Sequence, residues 1–300
     1  MALVSSDASW RSFGRVVPII MAVIAGGYAW ASRRARVQGA AGGAAACAFG
    51  VGALVVVIAT VGPMATYAPV LFWVRALQTL LLLYVAPFFL ALGRPVSVLA
   101  ATGAWSEGAV ERLMSSRFGA VLFAPATSSL AMLITPWLLY LTPWYVASMT
   151  GVVSDLTRIL LLGIGFLYFY ARLQSDPVPR RYTPLVSIGI SVVEGLADGI
   201  LGVVLWLGPI VGYDYYSGLN RNWGPSLHID QSIGAGILWL GGDLFALVFV
   251  MALMGALGRH ERRRAVEVDA ELAAQEELSP TKTGLWWEND PRFRDRFGRQ

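Results

Sequence analysis

The sequence is poor in the residue types from which catalytic and metal sites are most often built. Cysteine occurs once in 300 residues, at Cys47 inside an apolar run, which excludes an internal disulfide and a CxxC metal clip. Histidine occurs twice, at His228 and His260. No phosphate-binding loop, dinucleotide fingerprint or nucleophile–base constellation is present, so an enzyme is not expected. No segment repeats at a period of roughly 20–50 residues, which excludes a solenoid or propeller. Charge is scarce too: 14% of residues are charged against 56% hydrophobic, and mean hydropathy is +0.59. That leaves too little polar surface for a soluble globule of this length. The chain reads as an all-α polytopic membrane protein, with the lipid bilayer as its surroundings. The net charge of +4 comes mostly from arginines beside apolar runs, a pattern of membrane orientation and not of nucleic-acid binding.

What is abundant is apolar length. A bilayer core of about 30 Å needs about 20 apolar residues per helix, and seven such runs stand at 16–30, 41–61, 68–91, 120–146, 156–173, 185–211 and 233–257. The first has small residues around Trp30, as a cleavage site would, but Arg33, Arg34 and Arg36 follow at once. A cleaved signal peptide would drag all three across the membrane, so the run is read as a span. Basic residues cluster after spans one, three and five, with Arg172 at the edge of the last of these, and again from Arg259 to Arg264; the loop after span six holds only Arg221. The positive-inside rule therefore puts the amino terminus outside and the carboxyl tail in the cytoplasm of a plasma-membrane protein. Residues 1–258 form a seven-helix membrane domain and 259–300 a charged tail. The tail is read as a short helix over 259–277 and mostly disorder over 278–300, with Leu285, Trp286 and Trp287 as a contact point. Residues 104–118 mix apolar and charged side chains at helical spacing, as a helix lying on the inner surface does.

The organising stretch is 227–245, where a polar, aromatic loop meets an apolar helix. It holds Asp230, Gln231 and, inside the apolar run, Asp243. An acid facing lipid costs about 2.5–3.5 kcal/mol on insertion scales, so Asp243 is expected to face the bundle interior. Arg75, Glu194 and Asp198 also lie within spans, and Glu194 and Asp198, four residues apart, share one helix face. These four form a candidate buried polar cluster. It is either a structural tie between helices or a proton or cation relay in which the two acids share a proton beside Arg75. On the outer side, Asp214, His228, Asp230 and Gln231 lie in or beside the aromatic loop between spans six and seven. Asp230 is expected to cap the last helix. Met64, Met149 and His228 are the soft donors suited to copper, too few and scattered to predict a metal site.

The runs Ala86-Pro87-Phe88-Phe89-Leu90-Ala91-Leu92-Gly93-Arg94-Pro95-Val96 and Asp230-Gln231-Ser232-Ile233-Gly234, followed by Trp239 and Gly241, resemble two signature regions of the multi-pass CtaG-type cytochrome c oxidase assembly factors. The resemblance extends from about span two onward. It implies a seven-span membrane factor that matures haem-copper oxidase, with oxidase subunits or other assembly factors as partners and copper as the metal handled. It also implies histidines at places where this chain has Arg75, Thr79, Leu141, Ser154 and Arg158. A chain without them is expected to keep the scaffold and not to handle copper directly. Two other readings stay open: a small-solute or proton transporter using Arg75, Glu194 and Asp198, and a non-catalytic membrane scaffold.

Overall fold

The computed structural model describes residues 16–37, 43–102, 124–173 and 184–278, with positions 112, 116, 119 and 121 between them. The surface helix expected at 104–118 falls almost wholly outside the described residues, as do Leu285, Trp286 and Trp287. Seven long helices follow one another: α1 Val16–Val37, α2 Gly43–Thr60, α3 Phe72–Leu92, α4 Pro125–Leu141, α5 Gly151–Leu173, α6 Pro184–Leu207 and α7 Leu227–Leu278. There is no strand among the described residues. Six of the helices are long and apolar enough to cross a bilayer, and α4 is a shorter apolar one. The protein is an all-α polytopic membrane protein.

Two boundaries differ from the sequence reading. The fourth span, expected to reach residue 146, ends as a helix at Leu141, where Thr142 takes extended backbone (φ −124°, ψ 167°). Pro143 follows, and a proline disfavours the helical conformation in the residue before it. The seventh span and the expected separate tail helix are instead one helix of 52 residues. No proline interrupts them before Pro280, and the charged run is rich in helix-favouring Ala, Glu and Arg. The chain divides into two compact units, Met1–Met251 and Ala252–Gln300. In the second, Glu261, Arg262, Glu267 and Glu271 are exposed.

Within the first unit the organising element is α3, not the 227–245 stretch. Of its span 72% is buried, against 22–44% for the other five long spans. The outer helices turn Leu54, Leu156, Leu196, Leu240 and Leu244 outward, which suits a hydrocarbon environment where burying apolar side chains brings no gain over lipid. The core around α3 is aromatic: Phe88 meets Phe169 and Phe245 edge-to-face with ring centroids 5.5 and 5.2 Å apart, and Phe169 meets Phe249 at 5.1 Å.

The Ala86-Pro87 signature has a local mechanical meaning. Pro87 has no N–H for the Leu83 carbonyl and its ring crowds that oxygen, and α3 widens there into a π-helical turn, Leu81–Val85. Gly165 of α5 lies against the freed carbonyl. A Cβ at 165 would collide with Leu83 O and come within 2.7 Å of Pro87 Cγ, so only glycine lets α5 approach this closely.

Candidate functional site

The loops that the arginine pattern assigns to the outside meet at one end of the bundle, and Asp230 and Gln231 fasten them. Asp230 is buried. Its Oδ1 accepts from the backbone N–H of Trp73 (3.0 Å) and its Oδ2 from Arg221 Nη2 (3.2 Å). Trp73 N–H is one of the first-turn amides of α3, which lack partners within their own helix. Asp230 therefore caps α3 rather than α7, and its charge complements the positive end of the α3 dipole. The capping expected on its own helix is corrected because α7 already begins at Leu227, leaving Asp230 inside its first turn. Gln231 works on the neighbouring helix end. Its Nε2 donates to Leu205 O (2.7 Å) and Pro209 O (3.0 Å), and its Oε1 accepts from Val211 N–H (2.8 Å). Leu205 O is the carbonyl that residue 209 would satisfy if it were not proline. The aspartate–glutamine pair is thus a clasp joining the start of α7 to the start of α3 and the end of α6.

One turn below the clasp on α3, Arg75 is 1% exposed. Its Nη1 donates to Gln78 Oε1 (2.7 Å), and its Nη2 to Ser148 Oγ (2.8 Å) and Ser148 O (3.4 Å). These partners are all neutral. Gln78 in turn donates to Ala59 O of α2 (2.6 Å). Tyr140 donates to Thr79 Oγ1 (3.1 Å), which donates to Arg75 O (3.0 Å). Above them the hydroxyls of Tyr145 and Tyr216 are 2.7 Å apart. Both lie in short loop helices, and burial pushes both phenols up, so they stay neutral. Arg158, within electrostatic reach of Arg75, is paired with Asp155 on its own helix at 3.1 Å. Ser154 is buried on α5, and Leu141 is exposed at the end of α4.

Arg75 therefore does not join Glu194 or Asp198 by any described contact; of the cluster expected from the sequence, Glu194 and Asp198 stay together around one cavity. The cation beside Glu194 is Arg172 of α5, read from the sequence as an edge residue and in fact 2% exposed. Its Nη1 pairs with Glu194 Oε2 at 2.9 Å and its Nη2 donates to Ser191 Oγ at 2.8 Å. Tyr168 bridges the two by donating to Glu194 and accepting from Arg172. The Arg172 guanidinium also lies over the rings of Tyr168 and Phe249, 4.8 and 5.3 Å from their centroids. One turn along α6, Asp198 Oδ2 accepts from Tyr84 in the π turn (2.7 Å). Glu194, Asp198, Tyr84 and Tyr168 contribute polar groups to a mainly apolar cavity of about 30 Å³, enough to hold one or two waters. Glu194 Oε1 is buried, with Ser129 as its nearby side-chain donor.

Asp243 departs from the expectation of an inward-facing acid. It is exposed and lines a groove of about 670 Å³ between α6 and α7 together with Gly195, Gly199 and Trp239. The glycines at 195 and 199 leave the opening, since a Cβ on Gly195 would approach Asp243 Oδ1 to 3.4 Å and one on Gly199 would approach Trp239 Nε1 to 3.1 Å. Asp214 and His228 are exposed, Met149 is buried, and Met64 packs on the apolar cluster of Ala68, Leu71 and Val74.

Sequence reasoning missed Arg172, Tyr168 and Tyr84. The spacing of Tyr168 and Arg172, four apart on one face of α5, was the available signal. The α3 capping by Asp230 joins residues 157 positions apart, for which a single sequence carries no sign.

Comparison with known proteins agrees with this architecture. The model of the cytochrome c oxidase caa3 assembly factor family matches residues 26–259, from within α1 to within α7. An uncharacterised protein of Mycobacterium leprae is 27% identical over 230 residues, 73% of this chain and 35% of the other. Uncharacterised proteins of Mycobacterium bovis and Mycobacterium tuberculosis are each 29% identical over 215 residues, 68% of this chain and 32% of theirs. The chain spans about a third of the length of these curated relatives. No solved structure matches it. With its family model covering α2 to α6 whole and parts of α1 and α7, the chain belongs to the cytochrome c oxidase caa3 assembly factor family.

Proposed function

We propose that the protein is an integral plasma-membrane factor that assists assembly of a haem-copper cytochrome c oxidase through contact with a membrane segment of the oxidase or of another assembly factor, without carrying copper itself. The observation behind this reading is Asp243, an acid near the middle of the α7 span that is exposed in the α6–α7 groove. A carboxyl facing lipid there costs about 2.5–3.5 kcal/mol. A partner helix bringing Arg, Lys or an amide donor into the groove removes that cost, and the glycines leave room for it. Co-purification of oxidase subunits with the tagged full chain tests the reading. Asp243→Leu is expected to lose the subunits and lower oxidase activity in the membranes while the protein still accumulates; unchanged recovery of the subunits would refute it.

The donor set supports the second half of the proposal. Two of the places where the family resemblance puts histidines hold Arg75 and Arg158, whose guanidiniums offer no lone pair and repel a cation. The soft donors of the outer loops, Met64, Met149 and His228, are half-buried, buried and exposed in turn, and no described hydrogen bond engages any of their side chains. Protein purified in cuprous copper should hold far less than stoichiometric metal. A full equivalent, lost on replacing His228 or Met149, would return copper handling to the function.

The transporter reading keeps one observation in its favour, the small cavity between Glu194 and Asp198, with Arg172 in the place the sequence gave to Arg75. Proton flux in proteoliposomes that disappears in Glu194→Gln would favour it over assembly.

A further inference from the structure

The Arg75 region contains a buried positive charge that the described protein does not neutralise, and we propose that a small monovalent anion from solution binds between Arg75 of α3 and Arg158 of α5. The inference stands apart from the assembly function. An isolated buried cation is strongly disfavoured unless it is paired, and arginine cannot escape by giving up its proton. Every hydrogen-bond acceptor on Arg75 is a neutral oxygen, from Gln78 or Ser148. Arg158 adds a second cation within its field. Asp155, the acid paired with Arg158, balances one of the two charges and leaves the other.

The same two cations carry unused donors. Arg75 Nε, Arg158 Nε and Ser154 Oγ are all buried without an acceptor, and Ser154 and Arg158 stand one turn apart on α5. The tyrosines above do not supply the missing charge, because burial keeps the Tyr145 and Tyr216 hydroxyls protonated. Donors without acceptors around an unbalanced charge describe an anion site, at a position where a metal ion would meet repulsion.

Thermal unfolding of the purified full chain in detergent tests this, with sodium gluconate replaced stepwise by chloride, bromide or formate at constant ionic strength. A ligand that binds only the folded state raises the midpoint in a saturable way. The midpoint is expected to rise by a few degrees and then level off. A rise with both halides identifies an inorganic anion, and a rise with formate alone identifies a carboxylate; either supports the site. Arg75→Met removes the charge and should give a midpoint indifferent to all three. Should that variant not fold, Ser154→Ala is expected to raise the half-saturating concentration several-fold. No saturable rise with any of the three anions, a rise retained in Arg75→Met, or an unchanged half-saturating concentration in Ser154→Ala overturns the proposal.

Discussion

The two buried arginines of the membrane unit, Arg75 and Arg172, answer the same problem in opposite ways. Arg172 sits beside a carboxylate, a serine and two aromatic faces, all supplied by α5, α6 and α7. Arg75 sits among neutral oxygens from its own helix and from Ser148. One charge is neutralised within the protein and holds helices together; the other has only neutral acceptors among its described hydrogen bonds. Burial alone therefore does not tell a structural arginine from a binding one. The sign of its surroundings does.

The largest effect that would break this contrast lies in the paired region. Removing one partner of a buried ion pair costs about 3–5 kcal/mol because the other charge is left uncompensated. Arg172→Met should therefore sharply lower folded yield and thermal midpoint in detergent, and adding Glu194→Gln should recover part of the loss. Strict additivity of the two would show that the pair carries no coupling. Next in size is Gly165→Ala, whose new Cβ strikes Leu83 O; overpacking of this kind costs about 1–3 kcal/mol and should read as a lower midpoint with Arg172 untouched.

In the unpaired region the same chemistry should give smaller and uncoupled effects. Arg75→Met loses hydrogen bonds from a charged donor, each worth about 1.5–3 kcal/mol, but also removes a buried charge without a counter-charge, which offsets much of that loss. Combined with Glu194→Gln or Asp198→Asn, its effect should add without coupling, since no described contact joins these side chains. Rescue of Arg75→Met by either acid substitution would reinstate the single cluster expected from the sequence. Smallest is Tyr140→Phe, which deletes the bond to Thr79 and should cost about 1 kcal/mol in halide and in gluconate alike. A larger loss in only one of these salts would draw Tyr140 into the anion site.

The membrane class, the approximate positions of the spans and the importance of Asp230 and Gln231 were legible because each rests on local information. Apolar length and a signature run are both read within a few residues, whereas the sequence reading ran the fourth span through Pro143 and gave no break at Pro87. The charge pairing was not legible, because it depends on which helices become neighbours and at what depth. Counted from Pro184, Glu194 lies well inside α6, whereas Arg172 stands in the last turn of α5, so sequence depth offered no reason to match them. Asp243 was misplaced for a related reason. The cost of an exposed acid argued for the interior, but the chain places it in a groove on its surface, where that cost can be relieved on association.

The clasp at Asp230 also sets a timetable for biogenesis. Trp73 leaves the ribosome 157 residues before the aspartate that accepts from its amide. At synthesis rates of about 5–20 residues per second, the start of α3 waits roughly 8–30 seconds for its cap. Until α7 arrives, the most buried helix of the bundle has an open end, and Leu205 O at the end of α6 likewise awaits Gln231. Insertion of the final span is therefore the step that locks earlier ones, and a nascent chain stalled before Leu227 is the form that membrane proteases would meet first.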